Sequence, residues 1–264
     1  MPKVSVIMAV YNQENLVSEA IESIINQTYK DWELIICDDA STDSTFNVIS
    51  EYKKKYSNIR VFRNETNYHA AYTRNRCLKE AKGEYIAIMD SDDISMPERL
   101  KKQADFLDEH PEIALVSTAA VSFDETGDKA LRGMYGSEYP FRQPISFSLP
   151  LIHATIMIRK ESFDSIGGYT VSSETMRGED VDLCYKIRVA KLEGYTMHDV
   201  LYRIRERKCD FKRRTLRDAW GFTKTSKKYY RILNVPKRKW YMIYKPVVSA
   251  LIPKPIMFLY HKYK

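Results

Sequence analysis

The sequence predicts an α/β protein, with a mostly parallel central sheet flanked by helices and a basic helical extension at the C-terminus. Three observations predict it. Short β-rich runs alternate with helical patterns through residues 4–122. Those runs are apolar throughout instead of alternating, as strands covered on both faces are. Polar and acidic clusters follow the runs directly, at the carboxyl edge where such sheets bind ligands.

The elements follow in order. Residues 4–10 (VSVIMAV) form the first strand, and residues 14–26 a helix with Leu16, Ala20, Ile24 and Ile25 on one face. Residues 34–37 are the next strand, and the cluster Ser41-Thr42-Asp43-Ser44 supplies capping side chains for a helix reaching Tyr56. A third strand at 59–62 precedes a helix at 72–81 closed by Gly83, and residues 85–89 make the fourth strand. Pro97 opens a helix to Glu109, since its missing N–H is no loss there. After a run at 113–122 the pattern changes. Residues 124–143 read as a polar excursion or lid, 153–158 as one more strand, and Gly167-Gly168-Tyr169 as a turn. Arg177-Gly178-Glu179-Asp180 then leads a helix with Val181, Leu183, Cys184 and Ile187 as its apolar face.

Asp90-Ser91-Asp92-Asp93, placed at the end of the fourth strand, carries the chemistry. Three carboxylates crowded beside a buried strand repel one another and desolvate badly. A cation neutralises them, and oxygen-only ligands suit Mg2+ or Mn2+, which bind through one or two carboxylates plus substrate phosphates. The cluster therefore points to a metal held against a phosphate-bearing substrate. Tyr11-Asn12 and Asp38-Asp39 converge on the same sheet edge.

Taken together, the segments VSVIMAVYN (4–12), DDASTD (38–43), Arg74-Asn75, DSDD (90–93), Gly167-Gly168-Tyr169 and Glu179-Asp180 resemble the inverting, nucleotide-sugar-dependent glycosyltransferases of family 2, which have the GT-A fold. The resemblance covers residues 3–205, and within the family it is similar to bacterial enzymes of exopolysaccharide, capsule and cell-wall glycan assembly. It implies a catalytic domain at 1–205, with a nucleotide-binding half at 1–93 and an acceptor half at 94–205. Residues 206–264 are left as the extension.

The resemblance also implies site roles. Val10, Tyr11 and Asn12 border the nucleotide, with Tyr11 stacking on the base. Asp39 accepts a base N–H, which fits uracil, so a UDP-sugar is the expected donor. Asp92 contacts the ribose, Asp93 with Asp92 holds Mn2+ or Mg2+, and Asp90 is a ribose or supporting group. Asp180 is the general base that takes the acceptor hydroxyl proton, and Glu179 orients it or binds acceptor. A carboxylate opening a helix is favoured in its ionised form. Arg74 faces the diphosphate, and His153 is a donor or acceptor contact. In two places the chain departs from the family. Asn67-Tyr68-His69 replaces the family's Asn-x-Gly, and Arg205 stands where many relatives carry histidine, where it can meet phosphate directly.

Composition bounds the rest. With 264 residues and 44% hydrophobic content the chain can bury one sizeable core. Cys37, Cys77, Cys184 and Cys209 are widely spaced without a C-x-x-C pair, and read as reduced structural thiols of a cytoplasmic protein. No signal peptide is expected, and no apolar run approaches the ~20 residues needed to cross a bilayer. The net charge of +7 hides a division: residues 203–264 hold 19 Lys/Arg against 3 Asp/Glu, and residues 1–202 hold 23 against 32. In the tail basic residues interleave with aromatics, from Trp220 to Tyr260. Such a segment suits an anionic leaflet, and hence a peripheral position on the inner face of the plasma membrane with a polyprenyl-linked or glycan acceptor. Two other readings stand beside it: a helical subdomain packing its aromatics on the catalytic body, and a binding protein that acts through its basic tail on other assembly proteins. No nucleic-acid motif accompanies the basic residues, so nucleic acid is not expected.

Overall fold

The computed structural model describes residues 1–133, 137–145, 150–207 and 215–251. Cys209, Phe258 and Tyr260 lie outside the described residues, and so does the remainder of the tail beyond Leu251.

Strands β1 (Val4–Val10), β2 (Trp32–Asp38), β3 (Ile59–Arg63) and β4 (Tyr85–Asp90) form a parallel sheet in the order β3-β2-β1-β4. Every residue of β2 is buried, and so is all of β4 before Asp90, as expected of strands covered on both faces. Helices α1 (Val17–Ile25), α2 (Thr45–Lys55) and α3 (His69–Glu80) make the crossovers. The short β5 (Ile94–Ser95) precedes α4 (Arg99–Glu109).

Beyond β4 the sheet becomes mixed. β8 (Met157–Arg159) runs antiparallel between β4 and β6 (Leu115–Asp124), and β9 (Gly194–Arg205) lies parallel to β6. The polar excursion is in part a hairpin, because β7 (Gly127–Arg132) pairs with β6 and is exposed throughout. Two hydrophobic clusters, one on each sheet face, make the core.

The strand expected over residues 153–158 is shorter. His153–Thr155 is a 3₁₀ turn, and only Met157 onward joins the sheet. Side chains outcompete the ladder here. The Thr155 hydroxyl donates to the Ile152 carbonyl at 2.8 Å, Arg99 donates to the Ala154 carbonyl at 3.2 Å, and Gln103 donates to that of Thr155 at 2.8 Å.

α5 (Lys160–Ser165) leads to the Gly167-Gly168 turn, where both glycines adopt positive φ. Asn75 fixes this turn from α3: its amide accepts the Tyr169 N–H and donates to the Tyr169 carbonyl, both at 2.8 Å. A Cβ on Gly168 would stand 2.7 Å from Asn75 Oδ1. α6 (Glu179–Val189) then brings its N-terminus toward β4.

The described part of the extension is helical: α7 (Leu216–Ile232), a 3₁₀ segment Lys237–Tyr244, and α8 (Lys245–Leu251). Thr215 and Asp218 form a capping box at the start of α7. α7 packs on α6, where Tyr229 stacks on Tyr185 at 4.9 Å and donates to Asp182 at 3.0 Å. Among the described residues no helix is long and apolar enough to cross a membrane. Cys37, Cys77 and Cys184 are buried free thiols.

Candidate active site

The loops after β1, β2 and β4 meet at one edge of the sheet. Asn12 and Gln13 donate backbone N–H groups to Ser41 Oγ (2.9 Å) and Thr45 Oγ1 (2.7 Å). The Thr42 N–H returns to Asn12 Oδ1 at 2.8 Å. The Ser/Thr/Asp cluster thus ties two loops together as well as starting α2, whose first N–H is taken by Asp43 at 3.0 Å. Val10 is buried beneath this rim, whereas Tyr11 is 41% exposed on it.

Asp39 is nearly enclosed. Its carboxylate accepts from the N–H groups of Tyr68 (2.9 Å) and His69 (2.8 Å) and from the Asn64 amide (2.7 Å). A carboxylate has about four acceptor positions, so most of its capacity anchors the start of α3. His69 occupies the glycine position of the family pattern and takes the left-handed backbone glycine would supply, with φ 67°.

The acidic turn is braced from below and from the side. Asp90 pairs with Arg74 at 2.8 Å, and the other terminal nitrogen of Arg74 meets Glu179 at 3.0 Å. Arg74 is 8% exposed and its guanidinium also lies over the Tyr169 ring. These two carboxylates hold it as a bridge between the acidic turn and the start of α6. Burial pushes the Asp90 carboxyl up, but Arg74 outweighs this and holds it below the usual carboxylate range. The pairing in turn raises the Arg74 guanidinium above its ordinary value, against the effect of burial.

Asp93 is in the opposite situation. It is 5% exposed, and burial together with Asp90 and Asp92 pushes its carboxyl well above the usual range. Asp93 accepts the Arg205 N–H at 2.8 Å, the Arg205 side chain donates to the Asp92 carbonyl at 2.8 Å and pairs with Glu19, and Arg207 pairs with Asp92 at 2.6 Å. Arg205 therefore clamps the acidic turn.

Among the described residues no group of three His, Cys, Asp or Glu side chains closes a metal site alone. A hard cation that keeps waters and substrate phosphates needs only one or two carboxylates. Asp93, crowded by two like charges, fits that need, with Asp92 beside it.

His153 is buried, and its Nε2 lies 2.9 Å from the Tyr169 hydroxyl. Burial and the neighbouring Arg74 push its imidazole down to about 4. The ring is thus neutral and supports the wall of the site. Asp180 stands in the first turn of α6, half-buried, beside Glu179.

Residues missed at the sequence level complete the network. Tyr202, fully buried, accepts the Asp90 N–H at 3.2 Å. Arg99, also fully buried, lies 4.8 Å over the Tyr202 ring and donates to the Ile88 carbonyl at 2.8 Å. Desolvation lowers the Arg99 guanidinium to about 10. Neither residue has a local signal, because each acts through partners distant in the chain.

A family model described as glycosyl transferase family 2 matches residues 5–167. The chain belongs to glycosyl transferase family 2. EpsE of Bacillus subtilis (strain 168), named as a glycosyltransferase, is 39% identical over 262 residues, covering 99% of this chain and 94% of that protein. WfaP of Escherichia coli, named UDP-Glc:alpha-D-GlcNAc-diphosphoundecaprenol beta-1,3-glucosyltransferase, is 32% identical over 206 residues, covering 77% of this chain and 78% of its own length. In fold, the chain is similar to S. aureus TarS 1-349 in complex with UDP-GlcNAc, with a TM-score of 0.72 at 23% identity, over 94% of this chain and 71% of that one. The family 2 chain is thus a glycosyltransferase of GT-A architecture.

Proposed function

We propose that this enzyme transfers a sugar with inversion from a UDP-sugar to a glycan carried on a polyprenyl diphosphate, during assembly of a bacterial surface polysaccharide. One observation carries the reading: Arg74 bridges Asp90 of the acidic turn and Glu179 of α6. That bridge sets the residues suited to a donor diphosphate beside Asp180, the residue suited to deprotonate an acceptor. WfaP, whose name gives a UDP-sugar donor and a diphosphoundecaprenol acceptor, supports the substrate class.

In this reading Tyr11 offers its exposed ring to the uracil, and Asp39, with one acceptor position left, receives the base N–H. Asp92 reaches the ribose, and Arg207, 2.6 Å from Asp92, would meet the diphosphate. Asp93, with Asp92, would hold Mg2+ or Mn2+, which supplies Lewis-acid neutralisation of the departing nucleoside diphosphate. Asp180 takes the proton of the acceptor hydroxyl as the oxygen attacks the anomeric carbon, and the leaving group departs from the opposite face. Glu179, held by Arg74, keeps the α6 N-terminus in place.

Calorimetry of UDP with and without Mn2+ tests the donor half, and a transfer assay tests the base. Asp93→Ala is expected to abolish metal-dependent UDP binding. Asp180→Asn is expected to leave UDP binding intact and lower kcat by about 10²- to 10⁴-fold. Normal turnover by Asp180→Asn would remove that residue from the role.

A further inference from the structure

The 3₁₀ segment and α8 present an outward stripe of exposed side chains. Tyr241 and Tyr244 share a side at a spacing of three, which eclipses side chains in a 3₁₀ helix, and Val248 and Leu251 continue the same side at spacings of four and three. They are 74%, 40%, 57% and 64% exposed. On the opposite side Ile243 is 1% exposed and its carbonyl accepts from Thr223 of α7 at 2.9 Å, so the stripe faces away from the body. No residue of α8 is buried. Seven residues do not hold a helix in water by themselves, and a mostly apolar sequence (KPVVSAL) gains nothing by displaying its side chains to solvent.

Charge selects what covers the stripe. Residues 219–264 contain 11 Lys/Arg and no Asp or Glu. Lys237 and Arg238, both exposed, open the same 3₁₀ segment. Protein interfaces are depleted in lysine at their cores. Aliphatic side chains with tyrosines at the rim and lysine or arginine around them match the headgroup region of an anionic bilayer.

We infer that the outer face of residues 237–251 is a docking surface for an anionic lipid bilayer, with Tyr241, Tyr244, Val248 and Leu251 entering the headgroup region and Lys237 and Arg238 pairing with lipid phosphates. The surface is remote from the donor chemistry in its residues, but α7 connects it to α6 and so to Asp180. Docking would present the acceptor side of the enzyme to a membrane.

Sedimentation of the full chain with phosphatidylglycerol-rich and with pure phosphatidylcholine vesicles tests this. The wild type is expected to bind the anionic vesicles only, and less as salt is raised. The triple variant Tyr241→Ser, Val248→Ser, Leu251→Ser and the double variant Lys237→Glu, Arg238→Glu should each bind at least ~10-fold more weakly. All altered side chains are exposed, so circular dichroism and the heat of UDP binding should stay at wild-type values. Lost vesicle binding with unchanged UDP heat supports the docking surface. Absent UDP binding in the wild type would instead count against the donor site and leave the vesicle result standing. Equal binding to both vesicle types, no vesicle binding, or wild-type binding by both variants overturns the inference. So does retention on an immobilised acidic polypeptide without vesicle binding, which would favour a protein partner.

Discussion

His69 shows how a single residue can satisfy a backbone requirement that the family pattern meets with glycine. Its N–H anchors on Asp39 only because the chain turns into the left-handed region there. That region costs a non-glycine residue about 1–2 kcal/mol, and the exposed imidazole offers no compensating burial. His69→Gly is therefore expected to hold or raise stability by up to ~1 kcal/mol, after the entropy glycine gains in the unfolded chain is subtracted. His69→Val should lower stability by about 2 kcal/mol or more, since a β-branched residue tolerates the region worst. Urea denaturation of both variants reads the difference, and a stabilising valine would contradict the backbone argument. His153 gives a prediction in pH. Its folded value of about 4, set by burial and Arg74, lies below the ordinary ~6.5 of an unfolded histidine. Between the two the unfolded chain holds a proton that the native chain does not. Stability contributed by the neutral ring is thus complete above pH ~6.5 and lost as pH falls toward 4, at up to about 1.4 kcal/mol per unit. The acid-side slope of unfolding free energy should flatten in His153→Gln, and an unchanged slope would mean that this ring takes up its proton equally in the folded and unfolded states.

At the scale of elements, legibility followed the range of the forces involved. Strands β1, β2 and β4 were readable because burial on both faces writes an apolar run into consecutive residues. The acidic turn was readable because its charges are adjacent. The segment at 153–158 was misread because its apolar content suits a strand, while Arg99, Gln103 and Thr155 take its backbone carbonyls from outside the segment or through a hydroxyl. The role of Arg74 was hidden for a similar reason. Its partners are 16 and 105 residues away, and no local pattern distinguishes a bridging arginine from a solvated one. Asp182 was overlooked on the polar side of α6, yet it is 2% exposed and accepts from Tyr229 of a helix beyond the resemblance. The tail's composition was plain. Which aromatics pack inward, such as Tyr229 and Tyr230, and which stay out, such as Tyr241, depends on where α7 crosses α6.

At the scale of the whole molecule, that crossing makes the extension part of the catalytic body. Tyr229 supplies a hydrogen bond to a buried carboxylate and an aromatic stack on Tyr185, while Gly221 lets α7 approach the Glu174 backbone so closely that a Cβ would sit 2.6 Å from its carbonyl oxygen. Losing the hydrogen bond leaves Asp182 buried without this partner, a penalty of about 1–3 kcal/mol, and losing the stack adds ~0.5–1.5 kcal/mol. The full chain should therefore unfold in one cooperative transition by fluorescence and circular dichroism together. A chain ending at residue 207 should unfold at lower urea, by at least ~2 kcal/mol. Its kcat should fall with its stability, because α6 carries Asp180 five residues from the Tyr185 stack and two from Asp182 only while α7 holds that helix. Two separate transitions in the full chain, the later one matching the shortened chain, would instead make residues 206–264 an independent unit. The bilayer face would then be tethered to the catalytic domain with no bearing on the position of its base.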